Sequence, residues 1–454
     1  MSADIRQFGS SQQCVGAAFR DVTPLAPHFL FGYPFVERMS TGVHDPLLAS
    51  AIYFNDGASQ AMFVAVDIIF LSKQQVAEVR RQISETTSIP VENIMVTATH
   101  THSGPVTVRM ISNEGDRVVP EPDSEFLRSL LHGIVEAACE AYRNAQPAEI
   151  CQTVSRVTGL GTNRHDPRGP SLPEVPILIV RSLQDGSLIG LMCVCSMHPT
   201  VLHEDSTLIS GDFPGLARKH LQSKREAIPV VYHMGAAGNQ SPRHVTKANT
   251  FEEAQRLGGI LGHALEAAIQ DAEYSSDWNV SSATTSIDLP LRKIPASEQA
   301  EESLNAAVSR LEHLRRTDAP PAEIRTAECD WFGAEETVAL ARAQGEGRLQ
   351  QVAQSCLPAE IQLIGIGQWT YVGWPGEVFC EFALEVRERY PHAFVITLAN
   401  GELQGYLVTD EAVKNKTYES SNAVFASPDS ANLLVEQTLR LIDKTNRLAP
   451  AHIA

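Results

Sequence analysis

The side chains with the clearest chemical potential are two histidines that stand two positions apart, His100 and His102. They follow residues 93–98, an apolar and β-branched run that predicts a buried strand. Residues i and i+2 at the end of a strand point to the same face, so both imidazoles can reach one point. Residues 103–105, Ser-Gly-Pro, then end the strand and place the pair at a loop mouth. The pattern favours a metal site, and ordinary hydrogen-bonded histidines are the alternative.

Two further stretches carry groups that would complete such a site. His198 ends the apolar, strand-like run 189–197, and Pro199 stops that strand. Glu377 follows the apolar run 369–376, and we expect it to open a helix. Two histidines, one carboxylate and an open position suit a catalytic zinc ion. A strand-capping histidine and a carboxylate that compensates a helix dipole are the structural alternatives.

Ser241 and Arg164 are candidates for contact with a substrate. Ser241 lies in a loop of small residues, 234–242, which lets a substrate approach the chain closely. This loop lacks the Gly-x-Ser-x-Gly pattern of the α/β-hydrolase elbow, and a plain turn serine is the alternative. Arg164 lies in a segment with too few glycines for a dinucleotide site. Its guanidinium suits an acyl oxygen or a carboxylate.

The elements that position these groups alternate between strand-like and helix-like patterns, which favours an α/β fold with mixed β-sheets flanked by helices. Residues 49–54 and 61–70 are expected to pair as a hairpin across Asn55-Asp56-Gly57. The other predicted strands are 175–181, 189–196, 230–234, 361–366, 370–373 and 393–399. The predicted helices are 72–85, 124–144, 214–224, 251–273, 378–390 and 430–444.

One segment differs in composition from the rest of the chain. Residues 296–355 are rich in Glu, Ala, Arg and Gln and poor in β-branched residues, with a break at Asp318-Ala-Pro-Pro-Ala. This composition predicts a helical hairpin inserted between strand-rich parts, which covers a sheet or shapes a pocket rim. We therefore expect a single large catalytic domain over residues 1–454, with this insertion inside it.

Composition excludes several classes of partner. The 454 residues are 43% hydrophobic and carry a formal net charge of −18, which argues against nucleic acid and against an anionic membrane surface. No apolar stretch is long enough for stable membrane insertion, and the first residues have no apolar core of a secretory signal.

The eight cysteines lack a paired framework, so we expect a reduced, cytoplasmic protein. Cys193 and Cys195 favour buried free thiols, with a soft-metal pair as the alternative.

Taken together and in this order, these motifs resemble the neutral/alkaline (non-lysosomal) ceramidase family. Residues 99–105, Thr-His-Thr-His-Ser-Gly-Pro, match the strongest motif of that family, and the resemblance runs from about Gly16 to about Phe425. It implies the family's catalytic amino-terminal domain and Zn²⁺ as the cofactor. The zinc ligands that the resemblance implies are His100, His198, Glu377 and Tyr406. The catalytic or substrate-contacting residues that it implies are His102, Ser241, Arg164 and Tyr418.

This sequence departs from the family pattern at positions that bear on the substrate. Val106 and Thr107 follow the histidine motif where the family has two glycines, and residues 238–241 are Gly-Asn-Gln-Ser where the family has Gly-Asp-Val-Ser. The sequence ends soon after its last predicted helix, so we expect the family's carboxy-terminal β-sandwich domain to be missing. These departures argue against long-chain ceramide as the natural substrate.

We therefore expect a zinc-dependent hydrolase that cleaves an amide bond of an N-acylated small molecule. An esterase or lactonase that uses the same site is the first alternative, because the early steps are alike. A non-catalytic, metal-dependent protein that binds an acylated small molecule is the second. The sequence leaves open whether Ser241 or zinc-activated water is the nucleophile, and whether the chain forms a homo-oligomer.

Overall fold

The structure is a computed structural model that describes residues 13–223 and 228–448. Residues 1–12, where the sequence shows no secretory signal, and Lys224, the expected end of a helix, lie outside these ranges. The strands are β1 (Cys14–Asp21), β2 (Gly42–Val43), β3 (Leu48–Asn55), β4 (Gln60–Val66), β5 (Ile94–Ala98), β6 (Gln146–Arg156), β7 (Thr162–Asn163), β8 (Glu174–Ser182), β9 (Leu188–Cys195), β10 (Leu208–Ile209), β11 (Val230–Met234), β12 (Gln240–Ser241), β13 (Val280–Ile287), β14 (Ala359–Ile366), β15 (Trp369–Gly373), β16 (Glu377–Val378), β17 (Ala393–Ile396) and β18 (Tyr406–Leu407). The helices are α1 (Lys73–Thr87), α2 (Ser124–Arg143), α3 (Asp212–Gln222), α4 (Phe251–Gln270), α5 (Ser297–Arg316), α6 (Pro321–Gly345), α7 (Arg348–Cys356), α8 (Cys380–Arg389), α9 (Asp410–Lys414), α10 (Tyr418–Asn422) and α11 (Pro428–Leu448). None of the helices in these two ranges combines the length and the apolar character needed to cross a membrane.

Eight strands form one mixed sheet in the order β11-β9-β8-β6-β1-β3-β4-β5. The outer pairs β9–β11 and β4–β5 are parallel, and the neighbours between them are antiparallel. The hairpin predicted across Asn55-Asp56-Gly57 is confirmed, because β3 and β4 pair from Ala49 with Val66 to Asn55 with Gln60. The strands β5 and β9, which precede the histidine loops, therefore lie in parallel pairs.

A second sheet, β13-β14-β15-β17, packs face to face on the first. Alternate residues of β4 face opposite sides of the large sheet. Phe63 contacts Tyr371 of the second sheet, with ring centroids 5.2 Å apart, whereas Met62 and Val64 face α1 and α2. Helices α1 to α4 cover the outer face of the large sheet, and α8 and α11 cover the small sheet. The predicted α/β class with mixed sheets flanked by helices is confirmed. Burial of both faces explains why most of these strands are continuous apolar runs.

The structure differs from the sequence expectations in several elements. The sequence does not predict β6 or β13, and β13 is an edge strand with the polar sequence Val-Ser-Ser-Ala-Thr-Thr-Ser-Ile. The strand expected over 61–70 ends at Val66, because the chain turns there and the Ile68 amide donates to the Val66 carbonyl. Both β6 and β13 contain many polar residues, so their hydrophobic signal is weak and sequence patterns miss them.

The segment 296–355 is helical, but it contains α5, α6 and α7 where the sequence predicts two helices. Helices α5 and α6 pack against each other, with an ion pair between Arg310 and Asp330 and another, 2.5 Å long, between Arg315 and Glu328. Phe332 of α6 stacks on Phe35 with a ring-centroid distance of 6.0 Å. The insertion therefore reaches the loops that surround the candidate site.

A buried charge cluster joins the large sheet to α3 beneath the histidine loop. Arg218 of α3 donates to both carboxylate oxygens of Asp67, at 3.0 Å to Oδ1. The same carboxylate accepts the Thr99 hydroxyl at 3.1 Å and the Leu48 amide at 2.9 Å. Because Thr99 directly precedes His100, the cluster holds the start of the histidine loop.

We expect Asp67→Ala to lower the free energy of unfolding by roughly 3–5 kcal/mol, because it leaves the Arg218 guanidinium buried without its partner. Urea unfolding of the purified protein measures this loss. Glu85→Ala, which breaks the exposed Arg81–Glu85 pair, is the control and should change the stability little. Equal losses in the two variants would contradict a structural role for the buried cluster.

Candidate metal centre

His100 lies in the loop that follows β5, beyond the end of that strand at Ala98. Its φ of +69° falls in the left-handed region, which residues other than glycine seldom adopt. Its amide donates to the Ile68 carbonyl at 2.9 Å, and its Nδ1 lies 3.0 Å from the Ile69 carbonyl oxygen. The expectation that strand alternation aligns His100 with His102 is therefore wrong, since the shape of the loop brings the two rings together.

His102 is held from the other side by the loop that precedes β2. Its Nδ1 lies 3.0 Å from the Gly32 carbonyl oxygen, and Arg38 donates to its backbone carbonyl at 2.9 Å. Gly32 has a φ of +128°, and a Cβ atom there would lie 2.4 Å from His102 Nδ1. Glycine is therefore the residue that lets this ring take its position.

His198 lies beyond the end of β9, where the sequence places it, and it is buried. Its Nδ1 lies 2.7 Å from the Ala237 carbonyl oxygen, in the loop that leads to Ser241. The amides of Val201 and Leu202 both donate to the Asp212 carboxylate at the start of α3, at 3.1 and 3.0 Å. The His198 loop is thus fixed at two points.

Glu377 enters the site from β16, which pairs in parallel with β18 so that Glu377 stands opposite Tyr406. The expectation that Glu377 opens a helix is wrong, because α8 begins only at Cys380. Pairing with β18 requires an extended backbone at Glu377, and the helix starts after that pairing ends. The Glu377 carboxylate is therefore not explained by compensation of a helix dipole.

The three imidazole Nε2 atoms and the Glu377 carboxylate converge on one point. His100 Nε2 lies 3.3 Å from His102 Nε2 and 3.2 Å from Glu377 Oε2, and His198 Nε2 lies 2.9 Å from the same oxygen. With ligand bonds of about 2.0–2.1 Å, donor atoms around tetrahedral zinc lie about 3.3 Å apart, so these separations fit zinc. Each Nδ1 faces a backbone carbonyl, which leaves the Nε2 lone pairs directed inward. Lone pairs that meet at this distance repel each other unless a proton or a metal ion lies between them.

The protonation states also suit a cation. Burial and the neighbouring histidines hold the pKa of His102 well below its ordinary value, and burial lowers the pKa of His198. Burial alone would raise the pKa of Glu377, but His100 and His198 beside it hold that pKa well below the usual range. Neutral imidazoles and a carboxylate are the donors that zinc binds.

The geometry offers two candidates for the fourth ligand. The sequence resemblance implies Tyr406 as the ligand and His102 as a substrate contact, whereas the Nε2 of His102 lies in the same group as those of His100 and His198. Tyr406 is buried, and its ring stacks on His198 with centroids 6.5 Å apart. Burial and the Glu377 charge raise the pKa of Tyr406 well above its ordinary value, so its hydroxyl keeps its proton when no cation is bound.

Arg164 is paired with Glu419, a residue that the sequence analysis does not select. Its Nε donates to Glu419 Oε1 at 2.5 Å, and His165 Nε2 lies 3.0 Å from both oxygens of that carboxylate. Burial would raise the pKa of Glu419, but Arg164 and His165 hold it well below its ordinary value. The Arg164 guanidinium also lies 5.4 Å from the centre of the Tyr406 ring. Arg164 therefore braces Tyr406, with its charge balanced by Glu419.

Ser241 ends β12 and is buried. Its hydroxyl oxygen accepts the Arg243 amide at 3.1 Å. Across residues 13–223 and 228–448, no histidine or carboxylate is hydrogen-bonded to the Ser241 hydroxyl. A serine nucleophile needs a base within that reach, so this geometry favours a substrate-orienting role.

All eight predicted site residues border two adjoining cavities. The larger cavity, of about 620 Å³, is bordered by His102, Arg164, His198, Ser241, Tyr406 and Tyr418. The smaller cavity, of about 60 Å³, is bordered by His100, His102, Glu377, Tyr406 and Tyr418. The structure thus brings together every residue that the sequence places in the site.

Glu336 of α6 also borders the smaller cavity, and the sequence gives no signal for it. It is 3% exposed, and its Oε1 accepts the Asn113 side-chain amide at 2.9 Å. Its Oε2 is buried and has no hydrogen-bond partner among the described residues. Burial raises the pKa of Glu336 to about 8, although Asn422, Asn113 and Tyr418 oppose the rise. Glutamates are common in residues 296–355, so composition does not single out Glu336.

Comparison with known proteins identifies the class of this fold. The family model "Neutral/alkaline non-lysosomal ceramidase, N-terminal" matches residues 14–167. The crystal structure of neutral ceramidase from Pseudomonas aeruginosa superposes with a TM-score of 0.74 at 18% identity, over 98% of this chain and 76% of that one. The resemblance to the neutral/alkaline ceramidase family is therefore confirmed, and the chain has the fold of a neutral ceramidase.

Curated relatives lead to the same family. Neutral ceramidase A of Dictyostelium discoideum is 24% identical over 268 residues, which cover 54% of this chain and 37% of the relative. The neutral ceramidase of Mycobacterium tuberculosis is 24% identical over 229 residues, which cover 45% of this chain and 35% of the relative. The matched part of the chain spans about a third of the length of these relatives.

We expect Gly32→Ala to weaken metal binding by about 10- to 100-fold, because the new methyl group displaces the His102 ring. Competition with a fluorescent zinc chelator measures this affinity. Gly186→Ala is the matched control: its φ of +72° is also left-handed, but an added Cβ atom meets nothing within 4 Å. Equal zinc affinity in the two variants would show that the position of His102 does not matter to the centre.

We expect Glu336→Gln to make the free energy of unfolding less dependent on pH. The folded-state pKa of about 8 lies above the ordinary value of 4.5, so between these values the native protein keeps a proton that the unfolded chain has released. Wild-type stability should therefore fall as pH rises through this interval, by at most about 1.4 kcal/mol per pH unit, and glutamine removes the effect.

Urea unfolding at pH 5, 6.5 and 8.5, in the presence of a chelator, tests this expectation. The stability of the Glu336→Gln variant relative to wild type should increase from pH 5 to pH 8.5. The exposed Glu301 supplies the control variant, Glu301→Gln, which should show no such trend. A difference that stays constant over the three pH values would contradict a neutral Glu336 in the fold.

Proposed function

We propose that this protein is a zinc-dependent hydrolase that cleaves an amide bond of an N-acylated small molecule. The observation that carries the proposal is the convergence of three imidazole Nε2 atoms and the Glu377 carboxylate beside a cavity of about 620 Å³. The names of its relatives support the chemistry, since a ceramidase acts on ceramide, an N-acyl amide.

Amide hydrolysis requires a polarised carbonyl, an activated nucleophile and a proton for the leaving amine. His100, His198 and Glu377 would hold the zinc, with Tyr406 or His102 as the further ligand. Bound there, zinc supplies Lewis acidity at the acyl oxygen and lowers the pKa of water from ~15.7 towards ~7. The remaining chemistry falls to the protein side chains around it.

Three side chains are placed to act on the substrate. Tyr418 borders both cavities, and burial keeps the pKa of its hydroxyl well above the ordinary value, so this hydroxyl can donate a hydrogen bond to a developing oxyanion. Arg164 holds Tyr406 and adds positive charge nearby. Ser241, which lacks a paired base, orients the acyl group, and water is the favoured nucleophile.

Charged residues at the larger cavity favour a small polar substrate over long-chain ceramide. Arg243, Glu411 and Lys416 border it and are exposed. An alkyl chain that crossed them would remove water from these charges without replacing their hydrogen bonds, which is costly. We therefore favour short N-acyl amines and N-acyl amino acids.

We expect His100→Ala to lose tightly bound zinc and to lower the rate of amide cleavage by at least ~10²-fold, because it removes a ligand at the reacting centre. Release of amine from N-acyl amino acids, N-acyl amines and short ceramide analogues measures the rate, and mass spectrometry measures zinc. His132→Ala, an exposed change on α2, is the control.

A His100→Ala protein that keeps both its zinc and its amidase activity would refute the proposal. Ester substrates with the same acyl groups separate an amidase from an esterase or lactonase, which would cleave the ester alone. Tight binding of these compounds without turnover by zinc-loaded wild type would indicate a binding protein.

A further inference from the structure

A second group of metal-binding side chains lies where α3 packs on α4. His220 lies near the end of α3, and His263 and Glu266 are three residues apart on α4, so they share one face of that helix. One potential ligand atom from each residue lies within 4.8 Å of the other two. His220 is eight residues after Asp212 on α3, which corresponds to about 12 Å along the helix axis. Asp212 is the residue that holds the loop after His198.

The hydrogen bonds of these residues leave lone pairs for a cation. His263 Nδ1 lies 2.6 Å from the Gly259 carbonyl oxygen one turn earlier, so this nitrogen carries the proton and the Nε2 lone pair is available. His220 Nε2 lies 3.5 Å from Glu266 Oε2, yet it is buried and makes no hydrogen bond among the described residues. The two rings are close, with centroids 4.3 Å apart.

The packing of the two helices holds the His220 ring in place. Gly262 of α4 lies directly against that ring, and a Cβ atom at this position would lie 2.7 Å from His220 Cδ2. His263, in contrast, is exposed, so its ring can rotate toward the other two groups. One ligand is thus fixed in advance and another can adjust its position.

We propose that His220, His263 and Glu266 form a second zinc site that links α3 to α4. Two imidazoles and one carboxylate are a donor set that zinc binds well, with water completing the coordination. Donor atoms now up to 4.8 Å apart come within the ligand spacing of zinc when the His263 side chain rotates. The ion would lie between His220 Nε2 and the Glu266 carboxylate, which are 3.5 Å apart.

The expected role of this site is structural. The site lies near the end of α3, whereas Asp212, which holds the loop after His198, lies at the start of that helix. A metal link at that end fixes α3 on α4 and so supports the His198 loop without contact with the substrate. This site does not depend on the proposed amidase activity.

Zinc content tests the proposal. Protein whose affinity tag has been removed is stripped with a chelator, dialysed against micromolar zinc and analysed by mass spectrometry. We expect His263→Gln to hold one zinc per chain fewer than wild type, and Glu266→Gln to bind that ion at least tenfold more weakly. His132→Gln, which alters an exposed helical histidine outside both clusters, should match wild type.

Two results would overturn the proposal: equal zinc content in wild type and His263→Gln, or an equal loss in His132→Gln. His100→Ala separates this site from the first centre, because it should keep the ion that His263→Gln loses. Circular dichroism verifies that each variant is folded, and zinc should raise the melting temperature of wild type more than that of His263→Gln.

Discussion

The site depends on the way three backbone carbonyls fix three imidazole rings. The carbonyls of Ile69, Gly32 and Ala237 each face one histidine Nδ1, so that the opposite nitrogens point at a common centre. These carbonyls come from three loops that are far apart in the sequence. The fold must therefore hold three loops in register to bring the lone pairs together, and the Glu377 carboxylate closes the set from a fourth segment.

The two packed sheets meet this requirement. The histidine loops follow β5 and β9 of the large sheet, and Glu377 follows β15 of the small one, so the centre lies where both sheets end. Asp67 and Arg218 tie the base of the His100 loop to α3, and Asp212 at the start of α3 ties down the His198 loop. One buried ion pair and buried hydrogen bonds to Asp212 therefore fix both histidine loops to the same helix.

The helical segment 296–355 contributes to the surroundings of the centre. Helix α6 brings Glu336 to the smaller cavity and Phe332 to the larger one. Glu336, whose pKa burial raises to about 8, borders the smaller cavity, and exposed charged residues border the larger one. The exposed charges that border the larger cavity are the physical basis for proposing a small polar substrate.

Sequence patterns alone predict the α/β class, the hairpin between β3 and β4 and the strand ends that carry His100 and His198. Buried strands must be apolar, and a polar imidazole directly after such a strand stands out against that background. Local patterns also select Glu377 and Arg164, although they give the wrong element for Glu377, and Tyr406 comes from the family motifs alone. The tertiary structure decides that Glu377 pairs with Tyr406, that Arg164 pairs with Glu419, and that Glu336 is buried. Those contacts join segments that are far apart in the chain. Their energies depend on burial and on strand pairing between those segments, and a local pattern of residues cannot predict either.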